Sequence, residues 1–353
     1  MTFEQIKNYA LSIGYSKVGV APVESLQGFE DEIFSRGMEF DMFAKMLTRP
    51  IEKKVPDAKS IIVLVWDCFQ YDYPKELQEM IGKFYLSRCF LAPQGYISNA
   101  RLKLMTDFLQ EGGFSLDASP FTLPARWVAT RAGVVDIGKN TFAYADGIGS
   151  YNLITTIVVD KELEYTAPQA ETKCPPNCNL CISSCPTKAL YAPFKLDPTK
   201  CIAFNNFMTL DKKGFAPGLV PHELRSFLGQ KIHGCDICQD VCPRNQKKLK
   251  QPKPLDPYIE NIAPSITLEN IINMSDEFYE QTIKPILYNY IDDKRFFMRN
   301  AALAMGNSKD EKYVESLIAA LKNSDELISE ATTWALEQIG TERAMKALKD
   351  FTK

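Results

Sequence analysis

Seven of the ten cysteines in this chain of 353 residues fall into two short blocks and an eighth lies between them, a pattern that asks the surrounding segment to fold around an inorganic core. The first block reads Cys174-Pro-Pro-Asn-Cys178-Asn-Leu-Cys181-Ile-Ser-Ser-Cys185-Pro186. The second reads Cys235-Asp-Ile-Cys238-Gln-Asp-Val-Cys242-Pro243, and Cys201 stands between them. The run CxxCxxxCP thus occurs twice. In bacterial ferredoxins the cysteine before proline leaves its own block and ligates the other cluster. That exchange assigns Cys174, Cys178, Cys181 and Cys242 to one [4Fe-4S] cluster, and Cys185, Cys201, Cys235 and Cys238 to a second. Structural zinc is the competing reading of CxxC pairs, but zinc knuckles are separated by a dozen or more residues and often include histidine. Here three cysteines crowd into eight residues, twice, and the only histidines are His222 and His233. Disulfides are disfavoured in a chain that gives no sign of export. Cys68 and Cys89, in VWDCF and LSRCF, read as small buried hydrophobes.

The length allows two or three domains. A net charge of −3 gives no global pull toward nucleic acid or an anionic membrane, although local patches remain possible. The N-terminal stretch carries Glu4 and Lys7 within an amphipathic pattern, which does not read as a signal peptide. The longest apolar run, Ile61 to Trp66, is far too short to span a bilayer. The expectation is a soluble, cytoplasmic protein that makes no membrane contact.

Hydrophobic periodicity divides the chain into three segments of an α+β fold. Residues 1–165 read as mixed α/β. Phe3 to Ser12 has helical spacing, Lys17 to Ala21 and Ile154 to Val159 are strands, and Ser60 to Asp67 is a buried strand by its β-branched density. Arg101 to Glu111 reads as a helix with Leu102, Leu104, Met105, Phe108 and Leu109 on one side. Residues 166–255 are rich in Pro and Cys and leave little room for an apolar core, so a ferredoxin-like pair of clusters must organise them. Residues 256–353 turn helical. Asn300-Ala-Ala-Leu-Ala and Ala331-Thr-Thr-Trp-Ala superpose at an offset of 31 residues, each ending near a glycine, Gly306 or Gly340. Tyr313 to Leu321 supplies a helix between them, as in HEAT-like repeats.

The cysteine layout and the segments flanking it resemble the epoxyqueuosine reductase family over nearly the whole chain. The resemblance rests on Gly14-Tyr-Ser-Lys-Val-Gly-Val-Ala21, Met46-Leu-Thr-Arg49-Pro, Pro56-Asp-Ala-Lys-Ser-Ile-Ile62, Arg131-Ala-Gly133 and Ile137-Gly-Lys-Asn-Thr141 with Gly149-Ser150. It continues through Cys185-Pro-Thr-Lys-Ala189 and Gly234-Cys-Asp-Ile-Cys-Gln-Asp-Val-Cys-Pro243 to Asn245. The family's enzymes use cobalamin and two [4Fe-4S] clusters to act on a modified tRNA base. The chain departs from the pattern where its first block opens Cys-x3-Cys in place of Cys-x2-Cys, in the tract after Cys201, and in the placement of an acid.

The resemblance implies that residues 1–165 bind cobalamin and substrate. It points to Arg131, Gly138, Lys139, Asn140 and Thr141 as cofactor-binding residues, with Arg126 and Arg131 as partners for phosphate or propionamide groups. It also implies a proton-donating Asp in an Asp-x-x-Pro context. Asp117-Ala-Ser-Pro120 offers one, two residues further from Arg131 than the pattern expects, and ungapped alignment puts Ser119 there instead. Neither histidine fits the Asp-x-His-x-x-Gly motif of His-ligated corrinoid carriers, so cobalt would lack a protein His ligand. Electrons would come from a low-potential donor, a ferredoxin or a flavodoxin. The five cations between Arg244 and Lys253 suit a phosphate backbone, with tRNA the partner. Two alternatives keep part of the machinery: a paralogue that reduces a small organic molecule, or an electron carrier that activates another protein.

Overall fold

The computed structural model describes residues 1–26, 28–35, 45, 47–48, 51–88, 97–119, 123–168, 172–207, 209, 216–287, 292–323 and 325–351. They pack as two compact units. Unit one takes Met1–Cys68, Pro93–Asn179 and Cys242–Lys250; unit two takes Phe69–Ala92, Leu180–Val241 and Gln251–Lys353. Cys89, Arg49 and Pro120 lie outside the described residues. Mixed sheet and helix bear out the α+β expectation.

Unit one is built on a four-stranded antiparallel sheet in the order β1-β2-β6-β3, with β1 Lys17–Pro22, β2 Ser60–Asp67, β3 Leu116–Asp117 and β6 Asn152–Val159. β2 is central, and its β-branched run is buried along almost its whole length. Ile61, Val63 and Val65 alternate onto one face, where they pack with Val128 and Ala129 of a helix at Ala125–Arg131 and with Ala132, which caps it. A small two-stranded ladder pairs β4 Asp136–Ile137 with β5 Ala143–Tyr144. Helix α1, Phe3–Ser12, opens with a capping box between Thr2 and Gln5, which satisfies two orphan backbone groups at its start.

Helix α2 runs Ile97–Glu111, four residues earlier than its apolar pattern begins. Met105 and Leu109 are fully buried, one helical turn apart, and Phe108 stacks on Tyr9 at 4.0 Å between ring centroids. Leu104, expected on the buried side, is instead 47% exposed. At about 100° per residue it lies off the stripe that Met105 and Leu109 define.

Unit two contains the short elements of the cysteine-rich stretch and the helical tail. Leu180–Ser183, Ile202–Phe207 and Ile237–Asp240 are helices of 4, 6 and 4 residues, and Leu190–Ala192 pairs with Lys195–Leu196. The tail holds α3 Arg295–Ser308, α4 Val314–Leu321, α5 Glu326–Ile339 and α6 Glu342–Phe351. Gly340 caps α5 in the left-handed conformation, as expected of a helix end. Gly306 does not end its helix, which continues to Ser308 and is capped by Lys309. Its role is close approach: a Cβ on Gly306 would sit 2.7 Å from the Ala335 Cα and 2.9 Å from the Trp334 ring. No helix among the described residues is long and apolar enough to cross a membrane.

Candidate functional site

The cysteines divide between the units. Unit one contains Cys174, Cys178 and Cys242; unit two contains Cys181, Cys185, Cys201, Cys235 and Cys238. Cys242 therefore shares a unit with Cys174 and Cys178, and Cys185 shares one with Cys201, Cys235 and Cys238. Cys181 is the one member of the first assigned set that falls in unit two. Cys68 is buried, as a small hydrophobe would be, its thiol 3.6 Å from the Trp66 carbonyl.

In unit one the turn from Gly138 to Thr141 wraps the stretch from Cys174 to Cys178. The Lys139 ammonium donates to three backbone carbonyls, Pro175 at 2.9 Å, Pro176 at 2.7 Å and Cys178 at 2.9 Å. The Lys139 amide points at the Cys174 Sγ, 3.4 Å away. Gly138 permits this turn, because a Cβ there would lie 2.5 Å from the Tyr144 ring. Thr141 sits at φ 65°, an uncommon conformation for a β-branched residue and one found disproportionately at functional sites. Asn140 donates to the Tyr144 hydroxyl at 3.0 Å. Burial, then the hydrogen bond with Cys242, pushes that phenol well above its usual range.

The helix that follows the second block, Pro243–Lys250, returns to unit one. Arg244 forms a two-pronged ion pair with the buried Asp136, at 2.7 and 2.6 Å, and also hydrogen-bonds Cys174. Lys248 pairs with Asp67, and Asn245 exchanges hydrogen bonds with Ser150. In unit two, Lys253 lies over the Phe69 ring at 4.2 Å. Three of the five cations expected at a phosphate backbone are thus engaged within their own units, while Lys247 and Lys250 are exposed.

Cys201, Cys235 and Cys238 in unit two all have raised thiol pKa values. Burial is the main cause in each, and the charges of neighbouring cysteines, Cys185 and Cys181 among them, add to it. Cys235 is pushed up to about 12. Thiols gathered in this way stay protonated alone and become good thiolates only against a cationic core, so the donor set fits an iron–sulfur cluster. Among the described residues no three His, Cys, Asp or Glu side chains are arranged to hold a metal ion. A cluster does not require such convergence, since each of its thiolates binds a separate iron.

Sequence reasoning missed the residues that position this set. Gly82 and Lys83 pair with the approach to Cys235: Gly82 N–H donates to the His233 carbonyl at 2.8 Å, and Lys83 N–H to the Asp236 carboxylate at 2.7 Å. The Lys83 ammonium reaches Asp240 at 2.9 Å. No local pattern signals these partners, which lie some 150 positions away. His233 is fully buried among the rings of Tyr85, Phe207 and Phe297, and burial lowers its pKa to about 3.

Asp117 lies on β3 opposite Val158. Its carboxylate is 3.3 Å from the Lys54 ammonium and accepts hydrogen bonds from Ser119 Oγ at 2.5 Å and Ser119 N–H at 3.3 Å. The two rival positions for the acid are therefore in contact. Arg131 stacks on the Trp127 ring at 3.7 Å, and Arg126 donates to the Thr141 carbonyl at 3.3 Å. Two buried donors of unit one, Trp66 Nε1 and Arg101 Nη1, have no hydrogen-bond partner among the described residues, although the Arg101 guanidinium lies over the Trp66 ring.

The chain matches two family models, a 4Fe-4S double cluster binding domain at residues 173–245 and HEAT repeats at 283–353. Fold and cysteine architecture together define an iron–sulfur protein built on a double-cluster domain with a HEAT-repeat tail. The chain is similar over nearly its whole length to epoxyqueuosine reductases, which indicates a reductase. It is 26% identical to the epoxyqueuosine reductase of Bacillus subtilis over 98% of this chain and 92% of that protein. The Escherichia coli enzyme is 25% identical over 95% of this chain and 89% of its own length. Among solved structures, epoxyqueuosine reductase with an epoxyqueuosine-modified tRNA-Tyr stem loop superposes with a TM-score of 0.81 at 25% identity, covering 99% of this chain and 92% of that one. The Bacillus subtilis structure with its catalytic aspartate loop swung out of the active site gives 0.80 at 25% identity, over 99% and 93% of the two chains.

Proposed function

We propose that this chain is a corrinoid-dependent reductase that removes the epoxide oxygen of epoxyqueuosine in tRNA. Its electrons would come from a low-potential ferredoxin or flavodoxin. The observation that carries this reading is the near full-length likeness to an epoxyqueuosine reductase solved with a modified tRNA stem loop. The partition of the cysteines adds support.

The proposed ligands are Cys174, Cys178, Cys181 and Cys242 for one cluster, and Cys185, Cys201, Cys235 and Cys238 for the other. Bound clusters and a corrinoid would supply one-electron relay and a cobalt centre able to deliver an electron pair. For the corrinoid, the fit rests on unpartnered donors: Trp66 Nε1 and Arg101 Nη1 suit the amide acceptors around such a ring. Arg131, Gly138, Lys139, Asn140 and Thr141 remain proposed for the corrinoid side, Lys139 and Asn140 with internal partners already in place. Neither histidine is offered as a cobalt ligand: His233 is caged by rings, and His222 is exposed. Asp117 is proposed to hold the proton that the departing oxygen takes, which requires its contact with Lys54 to loosen.

Cob(II)alamin bound to the protein should give an electron paramagnetic resonance spectrum free of axial nitrogen splitting. Splitting from a nitrogen base would contradict the proposed site. Failure to bind any cobalamin would leave the electron-carrier reading in its place. The internal engagement of Arg244, Lys248 and Lys253 favours one further reading, a small organic substrate in place of tRNA.

A further inference from the structure

Helix α3 turns three polar side chains toward the backbone of the cysteine-rich stretch in its own unit. Arg299 is 1% exposed and Asn300 is fully buried. The Arg299 guanidinium donates to the carbonyl of Asn205 at 2.7 Å, to that of Gly218, and to the Asn300 side-chain oxygen at 2.9 and 3.0 Å. Asn300 in turn donates to the carbonyls of Asn206 at 2.6 Å and Ile232 at 2.8 Å. Two turns further along, Asn307 donates to the carbonyls of Arg225 at 2.8 Å and Gly229 at 2.9 Å.

The residues so held lead directly to cysteines. Asn205 gives its backbone N–H and its side-chain amide to the Cys201 carbonyl, both at 2.9 Å. Asn206 exchanges two hydrogen bonds with Gly234, at 3.0 and 2.9 Å, and Gly234 immediately precedes Cys235. Two adjacent residues of the tail thus fix both separate segments that carry Cys201 and Cys235.

The charge on Arg299 needs its own account. Its partners among the described residues are neutral oxygens, and no carboxylate pairs with it. A buried, unpaired cation is costly, and burial, with Arg225 nearby, lowers its pKa to about 9, which leaves it charged at neutral pH. The anion that the surrounding residues build toward is a four-iron cluster with four thiolates, whose net charge is negative in both redox states.

We propose that Arg299 and Asn300 are positioning residues of the cluster assigned to Cys185, Cys201, Cys235 and Cys238. Asn300 clamps the two ligand segments, and Arg299 supplies a buried countercharge. A fixed cation stabilises the reduced, more negative cluster over the oxidised one, so it holds the midpoint potential less negative than it would otherwise be. The HEAT-like tail is then part of the redox centre. This inference rests on the ligand set proposed above.

The test uses the full chain reconstituted anaerobically, with the midpoint potential of each cluster, iron per chain and the resonance signal of the reduced protein as readouts. Arg299→Met should move one cluster's potential negative and leave the other in place, while Arg299→Lys, which keeps the charge, should stay closer to wild type. Asn300→Ala should speed the release of iron from the same cluster to a chelator. A merely structural role would lower the melting temperature in all three variants without moving a potential, and that result overturns the inference. Should Arg299→Met fail to fold, an Asn300→Ala variant with wild-type iron retention overturns the clamp by itself. A wild-type chain that takes up no iron defeats the ligand assignment first, and the inference falls with it.

Discussion

Lys139 shows how much a single residue's role depends on contacts that no sequence motif displays. In the motif Ile137-Gly-Lys-Asn-Thr141 it reads as a polar contact for a cofactor, yet its ammonium closes three carbonyls of the Cys174–Cys178 loop. Lys139→Met removes the charged donor that ties those carbonyls together, at about 1.5–3 kcal/mol for a hydrogen bond made by a charged group. The expected outcome is poorer iron retention with cobalamin affinity held, read by metal analysis and by cobalamin titration. Full iron content with weakened cobalamin binding would put Lys139 on the corrinoid side instead. At Asp117 the question is catalytic. Asp117→Asn keeps the shape and removes the acid, so turnover should fall by roughly 100- to 10,000-fold, as for a lost general acid, while cofactor affinity holds. Ser119→Ala in the same assay decides between the two neighbours, and full activity of the Asn variant would place the proton elsewhere.

At the scale of elements, the sequence speaks most clearly where periodicity and burial agree. β2 runs Ser60–Asp67 as its β-branched run predicts, and α1 runs Phe3–Ser12 with its capping box. Boundaries were less legible: α2 starts at Ile97, and Leu104 was misplaced because a generous apolar stripe does not separate core from rim. The spacing predicts a helix end at Gly306, because spacing alone does not distinguish a cap from a close approach. Gly306→Ala should therefore act through packing of α3 against α5, costing about 1–3 kcal/mol as overpacking does, measured by denaturant unfolding. An unchanged midpoint would mean that the two helices part at little cost. The contacts of Gly82 and Lys83 with the second cysteine block were invisible in advance, since pairing across such a separation leaves no periodic trace.

For the whole molecule, the proposed segments 1–165, 166–255 and 256–353 follow the order of the chain, whereas packing produces one unit drawn from the first two segments and a second drawn from all three. The cysteine blocks were legible because cluster chemistry fixes both residue type and spacing. The residues that hold them, Lys83, Arg244, Arg299 and Asn300, were not, because their partners are backbone groups and carboxylates remote in sequence. Cys201→Ser removes a ligand from one proposed set alone, so one cluster signal should vanish while the other persists in the resonance spectrum of the reduced protein. Loss of both signals, or of neither, would contradict the assignment.

The measurement that tests the central claim most directly is turnover on tRNA. The anaerobically reconstituted protein, supplied with cobalamin and a low-potential donor, is incubated with an epoxyqueuosine-modified tRNA stem loop, and the released nucleosides are weighed by mass spectrometry. The account predicts a product lighter by one oxygen, formed only when both cobalamin and the donor are present. An unchanged nucleoside from protein that carries both clusters and bound cobalamin would contradict it.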